Sequence, residues 1–258
     1  MPNELYLIGT VHNDPDGKDR LCKLLNLSSP SLVAVESHKD CIAPELSVDD
    51  YLAIYREVTE EAGIHLTDRQ ATTFRQATKH EMEWHAFELQ AAKEYTQSNP
   101  NSKLRYIDEI IPGSQDQKNL LALQRCAVQQ LVSDDEFVRL WLSDLDEGLE
   151  ACLRRTREGI DFVYTNYNLL TNYASEVRSF LEHTEDMPSA LNEVAEIFKT
   201  AYSWERENRM GQRIRELYPS SNRLVAIFGL AHLSGIMGYL SDLRPKSVLL
   251  NQYKPITG

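Results

Sequence analysis

The sequence predicts an α/β fold: a mostly parallel central sheet flanked by helices, with a large helical insertion between the third and fourth strands. Three observations carry this. Five short segments read as strands, and several are continuous apolar runs of the kind found in strands covered on both faces. Helical patterns separate these segments. The stretch 112–218 holds helix after helix and no strand pattern.

The strands are Glu4–Ile8, Leu32–Val35, Lys103–Ile107, Arg223–Phe228 and Ser247–Leu250. Several helix starts are legible. Thr67-x-x-Gln70, Ser114-x-x-Gln117 and Ser133-x-x-Glu136 each fit a capping box, in which the hydroxyl and the reaching side chain satisfy free N–H groups. Pro188 suits the first turn of a long helix running to Leu217, and Pro219 stops it. The stretch 112–218 is expected to form a helical layer or cap within one domain covering 1–258. SNPNS, 98–102, reads as a turn and not as a domain linker.

Composition narrows the class. The chain has 258 residues, 42% hydrophobic and 26% charged, which is ordinary for a soluble globular protein. Its formal charge of −12 argues against nucleic acid or anionic membrane as the main partner. No signal peptide pattern and no apolar run long enough for a bilayer is expected, so membrane insertion is not foreseen and the cytoplasm is the expected compartment. Cys22, Cys41, Cys126 and Cys152 fall at no metal-finger or redox spacing and read as reduced thiols.

Two apolar strands end alike. LIGTVH places His12 three residues after Gly9, and IFGLAH places His232 three residues after Gly229. Glu36 follows the run in LVAVES, and Asp108 follows Ile107 in LRYIDE. In open parallel sheets, ligands bind beyond the carboxyl ends of the strands. If the strands are parallel, these four side chains share one rim. The glycines would let the chain turn sharply or let a ligand approach the backbone. Two imidazoles with one or two carboxylates suit a divalent metal that activates water. Without a metal, His12 could act as a general base held by Glu36.

Other motifs are more ambiguous. HEMEWH, 80–85, has Trp84 where a zincin helix needs histidine. His85 reads as a core residue on a stripe with Leu89 and Ala92. Glu81 falls near that inward stripe, where a carboxylate is costly unless paired or coordinated, while Glu83 points outward. In WERENRMGQRIREL, 204–217, Arg206, Arg209 and Arg213 share a helix face, and an arginine there could hold an anionic group in the cleft. Arg215 and Glu216 read as solvated. The tyrosines of FVYTNYNLLTNY, 162–173, could line a groove or pack within the helical layer.

LIGTVH, LVAVE, ERENRM and FGLAHLSGI together resemble the TraB/PrgY/GumN (TIKI-like) family. The resemblance implies an erythromycin-esterase/ChaN-like α/β fold and a metal-dependent hydrolase. It implies proteolysis in the TIKI branch and shut-down of a peptide pheromone in the PrgY branch. His12 and His232 match the two motif histidines, and Glu36 the acidic end of the second strand. HEM, 80–82, resembles the family's Glu-Met helix segment and selects Glu81. Asp108 matches the residue after the third strand, although Glu109 stands where the family usually has arginine. Arg206 matches the arginine before Met210, and the acidic or amide position after it falls on Glu207 or Asn208.

The leading expectation is therefore a peptidase-like metallohydrolase. His12, Glu36, Asp108 and His232 are the metal candidates, and Glu36, Glu81 and Arg206 the catalytic ones. The ion would be zinc, manganese or cobalt, and the substrate a peptide or a small molecule. Two other readings stand beside it: a metal-free esterase-type hydrolase with His12 as base, and a regulatory protein that holds a peptide or haem without turnover. A homodimer through the helical layer is a further expectation.

Overall fold

A computed structural model describes residues 3–37, 47–84, 87–108, 114–168 and 204–252. Five parallel strands form one sheet in the order β3-β2-β4-β1-β5. They are β1 (Glu4–Thr10), β2 (Leu32–Val35), β3 (Lys103–Tyr106), β4 (Arg223–Gly229) and β5 (Lys246–Leu249). Each predicted strand is present, with ends shifted by a residue or two.

Burial follows the sequence pattern. The continuous apolar runs of β1, β2 and β4 are the inner strands and are buried on both faces, whereas β3 and β5 sit at the edges and are partly exposed. Leu7, Ile8, Val33, Val225 and Ile227 lose all solvent contact. Each such side chain contributes about 1.5–3 kcal/mol of transfer free energy.

Helices α1 (Gly17–Ser28) and α4 (Phe87–Ser98) pack together beside the sheet. Leu21, Leu24 and Leu25 of α1 lie on one stripe, as do Ala91, Ala92 and Tyr95 of α4, at the spacing that aligns side chains on a helix face. Helices α2 (Val48–Glu61) and α3 (Asp68–Trp84) join the inserted α5 (Ser114–Val132), α6 (Asp135–Glu147) and α7 (Leu149–Thr165) in a helical layer. Its apolar centre is small: Ile54, Val58 and Val128, with the rings of Tyr55 and Phe74 4.7 Å apart and those of Phe74 and Trp141 5.5 Å apart. The far end of α7 belongs to the main core through Ile160 and Tyr164. After the insertion, α8 (Trp204–Leu217) leads into β4, and α9 (Leu233–Tyr239) leaves it.

The Thr67–Gln70 capping box forms as expected, with Thr67 N–H donating to Gln70 Oε1 at 2.9 Å and Gln70 N–H to Thr67 Oγ1 at 3.3 Å. The expected Ser133 cap is displaced by one residue. Asp134 accepts from the N–H groups of Glu136 and Phe137, because its charged oxygen is the better acceptor for two free donors. Ser133 turns its hydroxyl back onto Gln130 O. Ser114's side chain, Cys41, His85, Glu109, Pro188 and Tyr173 lie outside what is described. Cys22, Cys126 and Cys152 are free thiols. Among the described residues, no helix is long and apolar enough to cross a membrane.

Candidate functional site

Parallel strands bring the four predicted residues to one rim. His12 follows β1, Glu36 follows β2, Asp108 follows β3 and His232 follows β4. Arg206, near the start of α8, reaches into the middle of them. Its Nη2 donates to Glu36 Oε1 at 2.7 Å and to Asp108 Oδ2 at 2.6 Å, and its Nη1 lies 3.2 Å from His232 Nε2. Arg209 and Arg213 share the predicted face but stay at the surface.

Glu36 is anchored twice. The Gly229 N–H donates to its Oε2 at 2.6 Å, and Arg206 holds its Oε1. Burial acts to raise the Glu36 carboxyl. The His232 ring, the His12 ring, the Arg206 guanidinium and the Gly229 N–H outweigh it and hold the group below the usual carboxylate range.

Each histidine has a carboxylate behind it. His12 Nδ1 lies 2.9 Å from Glu88 Oε1, which also accepts from the Thr10 hydroxyl at 2.7 Å. His232 Nδ1 lies 3.2 Å from Glu207 Oε1. Both arrangements assign the proton to Nδ1 and turn Nε2 into the site, since an ionised carboxylate only accepts. His12 is the open member, with its side chain 46% exposed against 4% for His232 and 7% for Glu36. Burial opposes charge on His12, but Glu88 and Glu36 more than offset this and push its pKa up to about 9.

The motif glycines answer to packing. Gly229 has φ −55° and ψ 138°, a conformation open to other residues, so a sharp turn is not its purpose. A Cβ there would lie 2.7 Å from His12 Nε2 and 3.5 Å from Glu36 Oε2. At Gly9 a Cβ would lie 2.7 Å from Leu230 Cδ1. The glycines admit neighbouring side chains of the protein itself.

Glu81 is not brought to this cluster. It lies on α3, where its carboxylate accepts from Thr156 Oγ1 of α7 at 2.8 Å, and burial raises its pKa. The helical carboxylate at the site is Glu88, which the sequence reading misses. The signal was available: Glu88, Ala91, Ala92 and Tyr95 form one buried stripe with a carboxylate at its head. Between the two candidates after Arg206, Glu207 is fully buried on His232 and Asn208 faces solvent.

Donor chemistry at the rim suits a divalent cation: two imidazole Nε2 atoms and a strand-end carboxylate, with further carboxylates behind. Two of the rim carboxylates, Glu36 and Asp108, share the Arg206 guanidinium. Among the described residues no group of three ligating side chains stands at metal-holding spacing.

Fold and site together define an α/β protein whose histidines and carboxylates converge at the carboxyl rim of a parallel sheet. The chain belongs to the TraB/PrgY/gumN family, which matches it over residues 2–251. Comparison with curated proteins and with solved structures gives no match.

Proposed function

We propose that the chain is a hydrolase of peptide-like or small ester and amide substrates, with a divalent ion held by His12 Nε2, Glu36 and His232 Nε2. One observation carries this reading. Both histidines are fixed through Nδ1 by buried carboxylates, the arrangement that orients metal-binding imidazoles and makes them better donors. When bound, zinc, manganese or cobalt would supply a Lewis-acidic centre that polarises a carbonyl and activates water. The other roles fall to the chain's own groups. Arg206 moves off the carboxylates and stabilises the developing oxyanion, as a positioned cation can. Asp108 holds the guanidinium in its resting place. His12, the open member, faces the substrate side.

Arg206 and a dication compete for Glu36 and His232, because a guanidinium cannot deprotonate to make room. Co2+ titration of the purified protein, followed by visible absorption, tests this. Wild type should bind Co2+. His12→Ala and His232→Ala should weaken binding by roughly 100-fold or more. Arg206→Ala should tighten it by about tenfold while lowering any turnover. Folded His12→Ala and His232→Ala variants that bind Co2+ as wild type does would end the metal reading.

A second reading is favoured by the guanidinium's present contacts: a metal-free hydrolase with Arg206 as anion holder and His12 as proton carrier. It carries a cost in pH. With its pKa pushed up to about 9, His12 is mostly protonated at neutral pH, and its base form grows as pH rises towards that value. Activity that survives chelation and climbs towards pH 9 would support it.

A further inference from the structure

The loop between β1 and α1 carries His12, and it is held from outside the sheet. Tyr164, on α7 of the inserted layer, is wholly buried. Its phenol oxygen accepts from the Val11 N–H at 3.0 Å and donates to Asp14 Oδ2 at 3.3 Å. These two contacts fall on either side of His12, one residue before it and two after. Asp14 is itself buried and fully engaged: Arg20 Nη1 donates to Oδ2 at 3.1 Å, and the Asp16 N–H donates to Oδ1 at 2.9 Å. Two backbone bonds close the turn, Asp14 N–H to Val11 O at 2.9 Å and Gly17 N–H to Asp14 O at 3.0 Å.

We infer that Tyr164 is a positioning residue for His12: one phenol oxygen from the helical insertion holds the Val11 backbone before the histidine and the Asp14 carboxylate after it, while Glu88 of α4 pins its ring. The two restraints come from different elements and act on different parts of the residue. Position and orientation of the ring are then both defined, which a site needing sub-ångström placement requires. Without the phenol, the Val11 N–H and the buried Asp14 carboxylate lose a shared partner. The insertion thereby becomes part of the site's scaffold. The inference rests on the proposed function only for its consequence in turnover; the restraint itself is a statement about the loop.

Tyr164→Phe removes the hydroxyl and keeps the buried ring. Amide hydrogen exchange and the ring signals of 15N-labelled histidine read the result, with His12 assigned from the spectrum of His12→Gln. The Val11 amide should exchange about tenfold faster, while the amides of Leu7 and Ile8 in β1 hold their rates within about twofold. The His12 ring signals should shift and those of His232 stay, a difference that a general loss of stability cannot produce. Asp14→Asn serves if Tyr164→Phe does not fold; it should move the same signals in the same direction. Unchanged Val11 exchange, or equal acceleration across the sheet, overturns the positioning role. Failure of wild type to bind Co2+ overturns the metal reading instead and leaves the exchange result to decide the clamp.

Discussion

Gly235 sits in α9 directly over Glu207, and replacing it with alanine sets two effects against each other. Alanine in a helix interior is favoured over glycine by up to about 1 kcal/mol. Against this, a Cβ at position 235 would overlap Glu207 Oε2 and lie 2.6 Å from its Cδ and 3.3 Å from Oε1. The carboxylate cannot simply swing aside, because it is fully buried and its Oε1 engages His232 Nδ1 at 3.2 Å. Overpacking of this kind costs about 1–3 kcal/mol, and a displaced carboxylate forfeits a charge-assisted bond of about 1.5–3 kcal/mol. The steric and electrostatic costs win, leaving Gly235→Ala about 2–4 kcal/mol less stable. Gly238 is the control. It lies in the same helix, and a Cβ there meets nothing within 4 Å, so Gly238→Ala should gain up to about 1 kcal/mol. Equilibrium urea unfolding followed by tryptophan fluorescence reads both. The midpoint should fall by about 1 M in Gly235→Ala and rise slightly in Gly238→Ala. If Gly235→Ala unfolds at or above the wild-type midpoint, Glu207 is not held where this account needs it.

Three further outcomes follow from the charges and their placement. The raised pKa of His12, about 9 in the folded state, adds stability that is fully present below its unfolded value of roughly 6.5 and is lost as pH rises through 9. Because the ring is half exposed, solvent screening limits the effect to about 1 kcal/mol. Unfolding measured between pH 6 and pH 9.5 should show this decline in wild type and a flatter profile in Glu88→Gln. Burial raises the Glu81 carboxyl, so its ionisation opposes folding above the unfolded pKa; Glu81→Gln, which keeps an acceptor for Thr156, should be as stable as wild type or about 1 kcal/mol more so at pH 7. The same variant should bind Co2+ within about twofold of wild type, since Glu81 stands apart from the rim.

Much of the architecture was readable because inner parallel strands must be apolar on both faces. LYLI, LVAV and LVAIF carry that constraint without ambiguity, and parallelism then forces their carboxyl ends together. His12, Glu36, Asp108 and His232 were placed by that logic alone. Helical carboxylates were harder. Glu81 and Glu88 both sit on inward stripes, and only the tertiary partner separates them: a threonine hydroxyl for one, a histidine ring for the other. The helix face alone leaves Arg206, Arg209 and Arg213 as equals, and the family resemblance selects Arg206; Arg209 and Arg213 remain at the surface. Tyr164 stood within a tyrosine-rich run, and nothing local marks which phenol reaches the strand-end loop. Such roles depend on contacts made between distant segments, which no periodicity records.

The placement of β4 has a consequence for how the molecule comes into being. β4 lies between β1 and β2 and is the link between them, for among the described residues β1 otherwise pairs only with β5, and β2 only with β3. During synthesis β1 emerges first and finds no strand to pair with, while β2 and β3 can make only a two-stranded ribbon. The helices of the insertion are made meanwhile, beside unpaired apolar edges of the sort that associate wrongly. The sheet closes only when residues 223–229 arrive, and the second histidine follows at once. A ribosome that stalls before that point releases a chain with its central seam open, so nascent copies of this protein should call on chaperones until the fourth strand is made.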